Sequence, residues 1–251
     1  MNGRRIRVIA FDFGGTLFST SGLDKVTPEL ERAFVDALVR EGGVATAVAG
    51  KVWQSYLSGW KARRAKGSSL PEKEISSLDI FRQALASKGL SLPSEAQTRV
   101  LEAYHSLQSE LFAPLPGVIE WLPLIAKQGY RLAIASNNAW VGLIRAPLRR
   151  HGLEELFDEV IVSGDIGWRK PHRRMFEVLL ERMRVAPGEV LYVGDSFPHD
   201  CATPRAMGMM TCLVDFDGRN KNSQKENATE ADLYLTRMAD LIPALGALAG
   251  I

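Results

Sequence analysis

The chain has 251 residues, 46% of them hydrophobic, enough for one full core and an accessory module. Its 31 basic and 29 acidic residues leave a net charge of +2, too balanced for nucleic acid or an anionic membrane surface as the main partner. Two cysteines, Cys201 and Cys212, make no disulfide framework and no zinc pattern, and read as reduced thiols of a cytoplasmic protein. The start of the chain lacks a signal-peptide pattern, and no apolar run approaches the ~18 residues of a membrane span.

The first element is the apolar run Ile6–Phe11, a buried strand that ends at Asp12-Phe13-Gly14-Gly15-Thr16. Residues 20–113 then read as all helical. Pro28–Arg40 is an amphipathic helix with Thr27 as its cap and Pro28 in its first turn, and Ala45–Ala62, Ser76–Lys88 and Ser94–Leu111 follow, the last capped by Ser94. Arg64–Lys73 is a loop, and Pro114-Leu115-Pro116-Gly117 makes the return hinge.

From Val118 the pattern alternates. Helices are expected at Val118–Gln128, Ala139–His151, Arg173–Arg184, Ala202–Met207 and Ala239–Ala249. Strands are expected at Arg131–Ser136, Glu159–Ser163, Val190–Val193, Met210–Val214 and Asp232–Leu235, and Asp217–Thr229 is a polar surface loop. Short apolar strands between amphipathic helices imply an α/β fold, a Rossmann-like, doubly wound parallel sheet with both faces covered. Right-handed crossovers bring the strand ends bearing Asp12, Ser136 and Asp195 to one edge, where such sheets bind ligands. Residues 1–19 and 114–251 would form this core, and 20–113 an inserted helical domain over its edge.

Four signals fall at strand ends: Asp12 to Thr16, Ser136-Asn137, Lys170-Pro171, and Gly194-Asp195-Ser196 with Asp200. Each suits phosphoryl transfer. Asp12 can attack phosphorus and form an aspartyl phosphate. Asp195 can hold Mg²⁺ together with Asp12, and the Gly14 carbonyl can serve as a further oxygen ligand. Ser136 and neighbouring backbone amides can hold phosphoryl oxygens. Lys170 supplies the positive charge that lets an anionic nucleophile approach an anionic phosphate, and Asp200 can position Lys170 or the metal's waters.

In order and spacing, these motifs resemble the haloacid dehalogenase-like hydrolase superfamily from Ile6 through Val214, and the helical insert resembles that superfamily's first class of cap domain. The resemblance implies a Mg²⁺-dependent hydrolase of a small phosphorylated metabolite. By it Asp12 is the nucleophile, and Gly14 and Asp195 join Asp12 as metal ligands. Ser136 and Lys170 contact phosphate with Gly15, Thr16 and Asn137 nearby, Thr16 steadies the first loop, and Ser196 and Asp200 support the site.

One position departs from the pattern. Phosphatases of the superfamily usually carry Asp where this chain has Gly14, as the acid for the leaving oxygen and the base for water. General acid–base help is worth about 10²–10⁴-fold in rate, roughly 3–5 kcal/mol of barrier, so its loss slows catalysis without abolishing it. A surrogate acid from the cap or from His199 is one way round the loss, although His199 also reads as an ordinary loop side chain.

Relatives that cleave carbon–halogen or carbon–phosphorus bonds also replace that Asp, with Tyr or Ala. The former need no metal, and the latter need a cap lysine, for which Lys51 and Lys61 are the candidates. A non-catalytic protein that binds phosphate or metal is the third alternative. The stripe Trp53, Tyr56 and Trp60 suits core packing or a substrate wall. The clusters Lys61-Ala62-Arg63-Arg64 and Arg169–Arg174 suit solvated faces or, in the cap, the steering of an anionic substrate.

Overall fold

The computed structural model describes residues 6–19, 27–65, 72–216, 218 and 229–249. Most of the loop expected at Asp217–Thr229 and part of the one at Arg64–Lys73 lie outside the described residues. Strand β1 (Val8–Phe11) is followed by the two-residue β2 (Phe18–Ser19) and four helices, α1 (Pro28–Gly42), α2 (Thr46–Ala65), α3 (Ser77–Ala86) and α4 (Ser94–Gln108). The chain returns through β3 (Ala113–Pro114) to α5 (Val118–Lys127), β4 (Arg131–Ser136), α6 (Gly142–Arg150), β5 (Phe157–Val162), α7 (Ser163–Ile166) and α8 (Arg173–Met183). It closes with β6 (Val190–Gly194), a π-helical turn at Phe197–Cys201, α9 (Ala202–Ala206), β7 (Met210–Val214), β8 (Leu233–Leu235) and α10 (Leu241–Ala249).

Six strands form one sheet in the order β5-β4-β1-β6-β7-β8, and every neighbouring pair is parallel. This is a Rossmann-like α/β sheet, and its order reverses at β1, where the chain crosses from the β4 side to the β6 side. A crevice therefore opens beyond the carboxyl ends of β1 and β6, where Asp12 and Asp195 follow their strands.

The pleat of β1 explains its uninterrupted apolar sequence. Ile9 and Phe11 pack into one core with α5, α6 and α10, while Val8 and Ala10 pack into another with Met175, Phe176 and Leu179 of α8. Both faces are dry, so no polar alternation survives.

The four helices α1–α4 bury a core of their own, from Leu30 and Phe34 through Trp53, Tyr56 and Phe81 to Tyr104. Trp53 and Tyr56 are fully buried around Phe34, so this part of the stripe is packing and not a substrate wall. Thr27 caps α1 through the Leu30 amide, as expected. Ser94 does not cap α4: it is the first helical residue, and the cap position is held by Pro93, which makes no side-chain cap hydrogen bond. Ser76 forms a capping box with Asp79, which starts α3 one residue late. The helix expected from Ala139 begins at Gly142, because Asn138 Oδ1 accepts the Trp140 amide and holds that stretch in a turn.

Where the chain leaves the sheet layer and re-enters it, the strands pair antiparallel, Phe18 with Pro114 and Ser19 with Ala113. Among the described residues no helix is long and apolar enough to cross a membrane.

Candidate active site

Three carboxylates and one ammonium converge at the sheet edge. Lys170, 2% exposed, places Nζ 2.9 Å from Asp12 Oδ1 and 2.6 Å from Asp200 Oδ1, and donates to the Tyr192 hydroxyl at 3.0 Å. Tyr192 in turn donates to the Ala135 carbonyl at 2.6 Å. The ammonium thus donates hydrogen bonds to Asp200 and Tyr192 and faces Asp12 as an ion pair. Burial opposes its charge, and Asp12 and Asp200 together outweigh burial, holding Lys170 protonated well above the ordinary lysine value.

The backbone of Lys170 is gripped as firmly. The Lys170 amide donates to Asn137 Oδ1 at 2.7 Å, and Asn137 Nδ2 donates to the Lys170 carbonyl at 3.0 Å. Both ends of the Asn137 side chain are therefore occupied with lysine backbone, which leaves its main chain, beside buried Ser136 at the end of β4, for any anion.

Asp200 is fully buried and uses both oxygens, one on Lys170 and one on the Ser196 amide at 3.0 Å. The Ser196 carbonyl accepts the amides of His199 and Asp200, and the Ser196 hydroxyl meets His199 Nδ1 at 2.8 Å. His199, on the exposed side of this turn, therefore has an orienting partner that its sequence context did not show.

Two glycines follow from close approach. A Cβ on Gly15, whose φ is +80°, would lie 2.3 Å from Asp195 Oδ2, and one on Gly194 would lie 2.3 Å from Asp200 Cγ. Thr16 is fully buried, and its hydroxyl oxygen has no hydrogen-bond partner among the described residues, so packing is what it offers the first loop.

The donor set fits a hard divalent cation. Asp12, Asp195 and Asp200 each present an oxygen within 4.8 Å of the others, and Asp12 Oδ1 is buried without an aligned hydrogen bond, facing Lys170 as an ion pair. Burial, reinforced by Asp12 and then Asp200, raises the Asp195 pKa to about 8, and burial raises that of Asp200 to about 6 although Lys170 offsets part of it. Three carboxylates against one ammonium leave an excess of negative charge, which a cation bound by oxygen ligands neutralises. Asp200 is tied to Lys170 and Ser196, and Asp12 and Asp195 bring the other two carboxylates of the set.

The other candidates lie elsewhere. Lys51 lines an open groove whose residues all come from α2, α3 and the turn after α3, and Lys61 is exposed on α2. Arg63 and Arg169 are not solvated as the sequence pattern suggests: both pair with Glu74, whose side chain is 1% exposed. Tyr192 and Glu74 went unnoticed in the sequence. For Tyr192 the one available signal is a hydroxyl-bearing residue inside the aliphatic strand Val190–Gly194.

A family model for haloacid dehalogenase-like hydrolases matches residues 6–208. The chain belongs to this hydrolase family. A glyceraldehyde 3-phosphate phosphatase of Methanothermobacter thermautotrophicus is 28% identical over 94% of this chain and 96% of its own length. Among solved structures, a HAD phosphatase from Thermococcus onnurineus superposes with a TM-score of 0.60 at 24% identity, covering 96% of this chain and 98% of that one. A 2-haloacid dehalogenase from Pseudomonas syringae pv. Tomato superposes with 0.62 at 20% identity over the same shares. The structures share the fold across both chemistries, so the choice between them falls to the site.

Proposed function

We propose that this hydrolase is a Mg²⁺-dependent phosphatase of a small phosphorylated metabolite, working in the cytoplasm through an aspartyl phosphate at Asp12. Residues 20–113 act as a cap over the core formed by 1–19 and 114–251. The observation that carries this reading is the buried Lys170 ammonium, 2.9 Å from Asp12, with Asp195 within 4.8 Å of the same carboxylate. A carbon–halogen site needs an attacking carboxylate but no second acidic group beside it, whereas a phosphate site needs cations around the transferred group. The phosphatase names of several curated relatives support the same choice. An imine route is not favoured, since Lys51 faces a groove between helices and not the sheet edge.

In the proposed reaction one Asp12 oxygen bonds to phosphorus as the bond from phosphorus to the leaving oxygen breaks. Bound magnesium would supply charge neutralisation and orientation of the phosphate, held by Asp12, Asp195 and the Gly14 carbonyl. Lys170 balances charge on the phosphoryl oxygens, and Ser136 with the amides near Asn137 and Gly15 orients them. Asp200 keeps the ammonium aimed. Water then attacks the phosphorus and releases Asp12. No side chain at position 14 assists the leaving oxygen or that water, so substrates with acidic leaving groups, such as acyl or aryl phosphates, are favoured.

A screen of acyl, aryl and sugar phosphates with Mg²⁺ tests the assignment. Turnover that disappears in Asp12→Asn is expected. Release of halide from a 2-haloacid with no phosphate ester turned over would overturn it.

A further inference from the structure

A second cluster of buried charge sits behind Lys170, and it joins the helical insert to the sheet layer. Glu74 lies in the connection from α2 to α3, with its side chain 1% exposed. Its Oε1 accepts from Arg63 of α2, with Nε at 3.1 Å, and from the Ile75 amide at 2.9 Å. Its Oε2 accepts from Arg169 Nη1 at 2.9 Å and from the Ser163 hydroxyl at 2.6 Å. The backbones run together as well. The Glu74 amide donates to the Gly167 carbonyl at 3.0 Å, the Arg169 amide donates to the Glu72 carbonyl at 2.6 Å, and Lys73 bridges Trp168 antiparallel.

Arg169 is the residue before Lys170. Ser163 lies 3.1 Å from the carbonyl of Asn138, next to the Asn137 that holds the Lys170 backbone. The stretch bearing the phosphate lysine is therefore held by Asn137 on one side and by residues 72–74 on the other. Glu74 places one carboxylate between two guanidinium groups from separate layers. Removing that charge leaves two largely buried cations facing each other. The 167–169 segment then loses its anchor, and a displacement of about 1 Å at a catalytic group costs on the order of 10²-fold in rate.

We propose that Glu74 is a positioning residue for Lys170, a carboxylate carried by the helical insert that fastens residues 167–169, so that seating of the insert and alignment of the phosphate lysine are one event. The kinetic half of the test rests on the phosphatase assignment; the exchange half does not.

Glu74→Gln keeps the shape and removes the charge. Its kcat on an aryl phosphate with Mg²⁺ is expected to fall by about 30–100-fold, with KM within a few-fold of wild type and partial recovery in Glu74→Asp. Amide exchange is expected to quicken at Arg169 and Lys170, while Val100 and Leu101 in α4 stay protected. Should Glu74→Gln not fold, Ser163→Ala removes one donor and no charge, and the same two quantities are read with a smaller expected change. Unchanged exchange at Arg169 and Lys170 overturns the proposal. So does exchange that rises throughout α1–α4 with wild-type kcat, the pattern of a staple with no bearing on the lysine. A wild type that turns over no phosphate ester would sink the phosphatase assignment, and exchange at those two amides would still decide the role of Glu74.

Discussion

Lys170 keeps its charge in a nearly water-free position because Asp12 and Asp200 stand on two sides of it and the Tyr192 hydroxyl on a third. That dependence runs both ways, since Asp200 is fully buried and its only other hydrogen-bond partner among the described residues is the Ser196 amide. Removing one member of a buried ion pair typically costs about 3–5 kcal/mol, because the remaining charge is left uncompensated. Lys170→Met, close to lysine in length, is therefore expected to lower unfolding free energy by about that amount in urea titration at pH 7. An unchanged midpoint would contradict the account of Asp200. The residues that converge at the sheet edge were legible in the sequence, since Asp12, Lys170, Asp195 and Asp200 stand in short motifs next to recognisable strands. Tyr192 and Glu74 were not. Their partners lie 22 and 95 positions away, at Lys170 and Arg169, and nothing local marks either side chain as part of the same scaffold.

Among the elements, α4 carries a buried histidine at the junction between layers. His105 is buried, with Nδ1 2.9 Å from Gln108 Oε1 and Nε2 2.8 Å from the Ser77 hydroxyl, and it stacks on Trp140 of the sheet layer. Burial lowers its pKa from 6.5 to about 4. The unfolded chain therefore takes up a proton here first as pH falls. The contribution is undiminished above about pH 6.5, falls progressively down to about pH 4 by roughly 3 kcal/mol, and changes little below that. Urea midpoints at pH 7.5 and 4.5 should differ more for wild type than for His105→Gln. Equal pH dependence in the two proteins would show that His105 is not the group responsible. The helices of this layer were readable from their apolar spacing, because α1, α3 and α4 each turn one face to a shared core. Their ends were less so. The capping box at Ser76 and the Asn138 turn that delays α6 are set by side-chain hydrogen bonds that compete with the helix, and the Phe18–Pro114 pairing joins residues too few to leave a periodic trace.

For the whole molecule, strand–helix alternation and crossover handedness imply a parallel sheet with its strand ends at one edge, and the observed order β5-β4-β1-β6-β7-β8 brings Asp12 and Asp195 to one crevice. The fold class was therefore legible before any coordinates, and so was the edge shared by Asp12, Ser136 and Asp195. What the alternation does not encode is how the insert docks, because that contact depends on Glu74, His105 and Trp140 meeting residues far from them in the chain. The same holds for the consequence of Gly14, which only the chemistry can show. Position 14 is not among the glycines with positive φ, so Gly14→Asp can be made without backbone strain. Brief treatment with acetyl phosphate and Mg²⁺ followed by intact-mass measurement is the most direct test. A single phosphoryl group should appear on wild type and not on Asp12→Asn, and should decay at least ~10²-fold more slowly than in Gly14→Asp, where a water-activating carboxylate is restored. Rapid wild-type turnover with no adduct at any time, or equal labelling of Asp12→Asn, would contradict it.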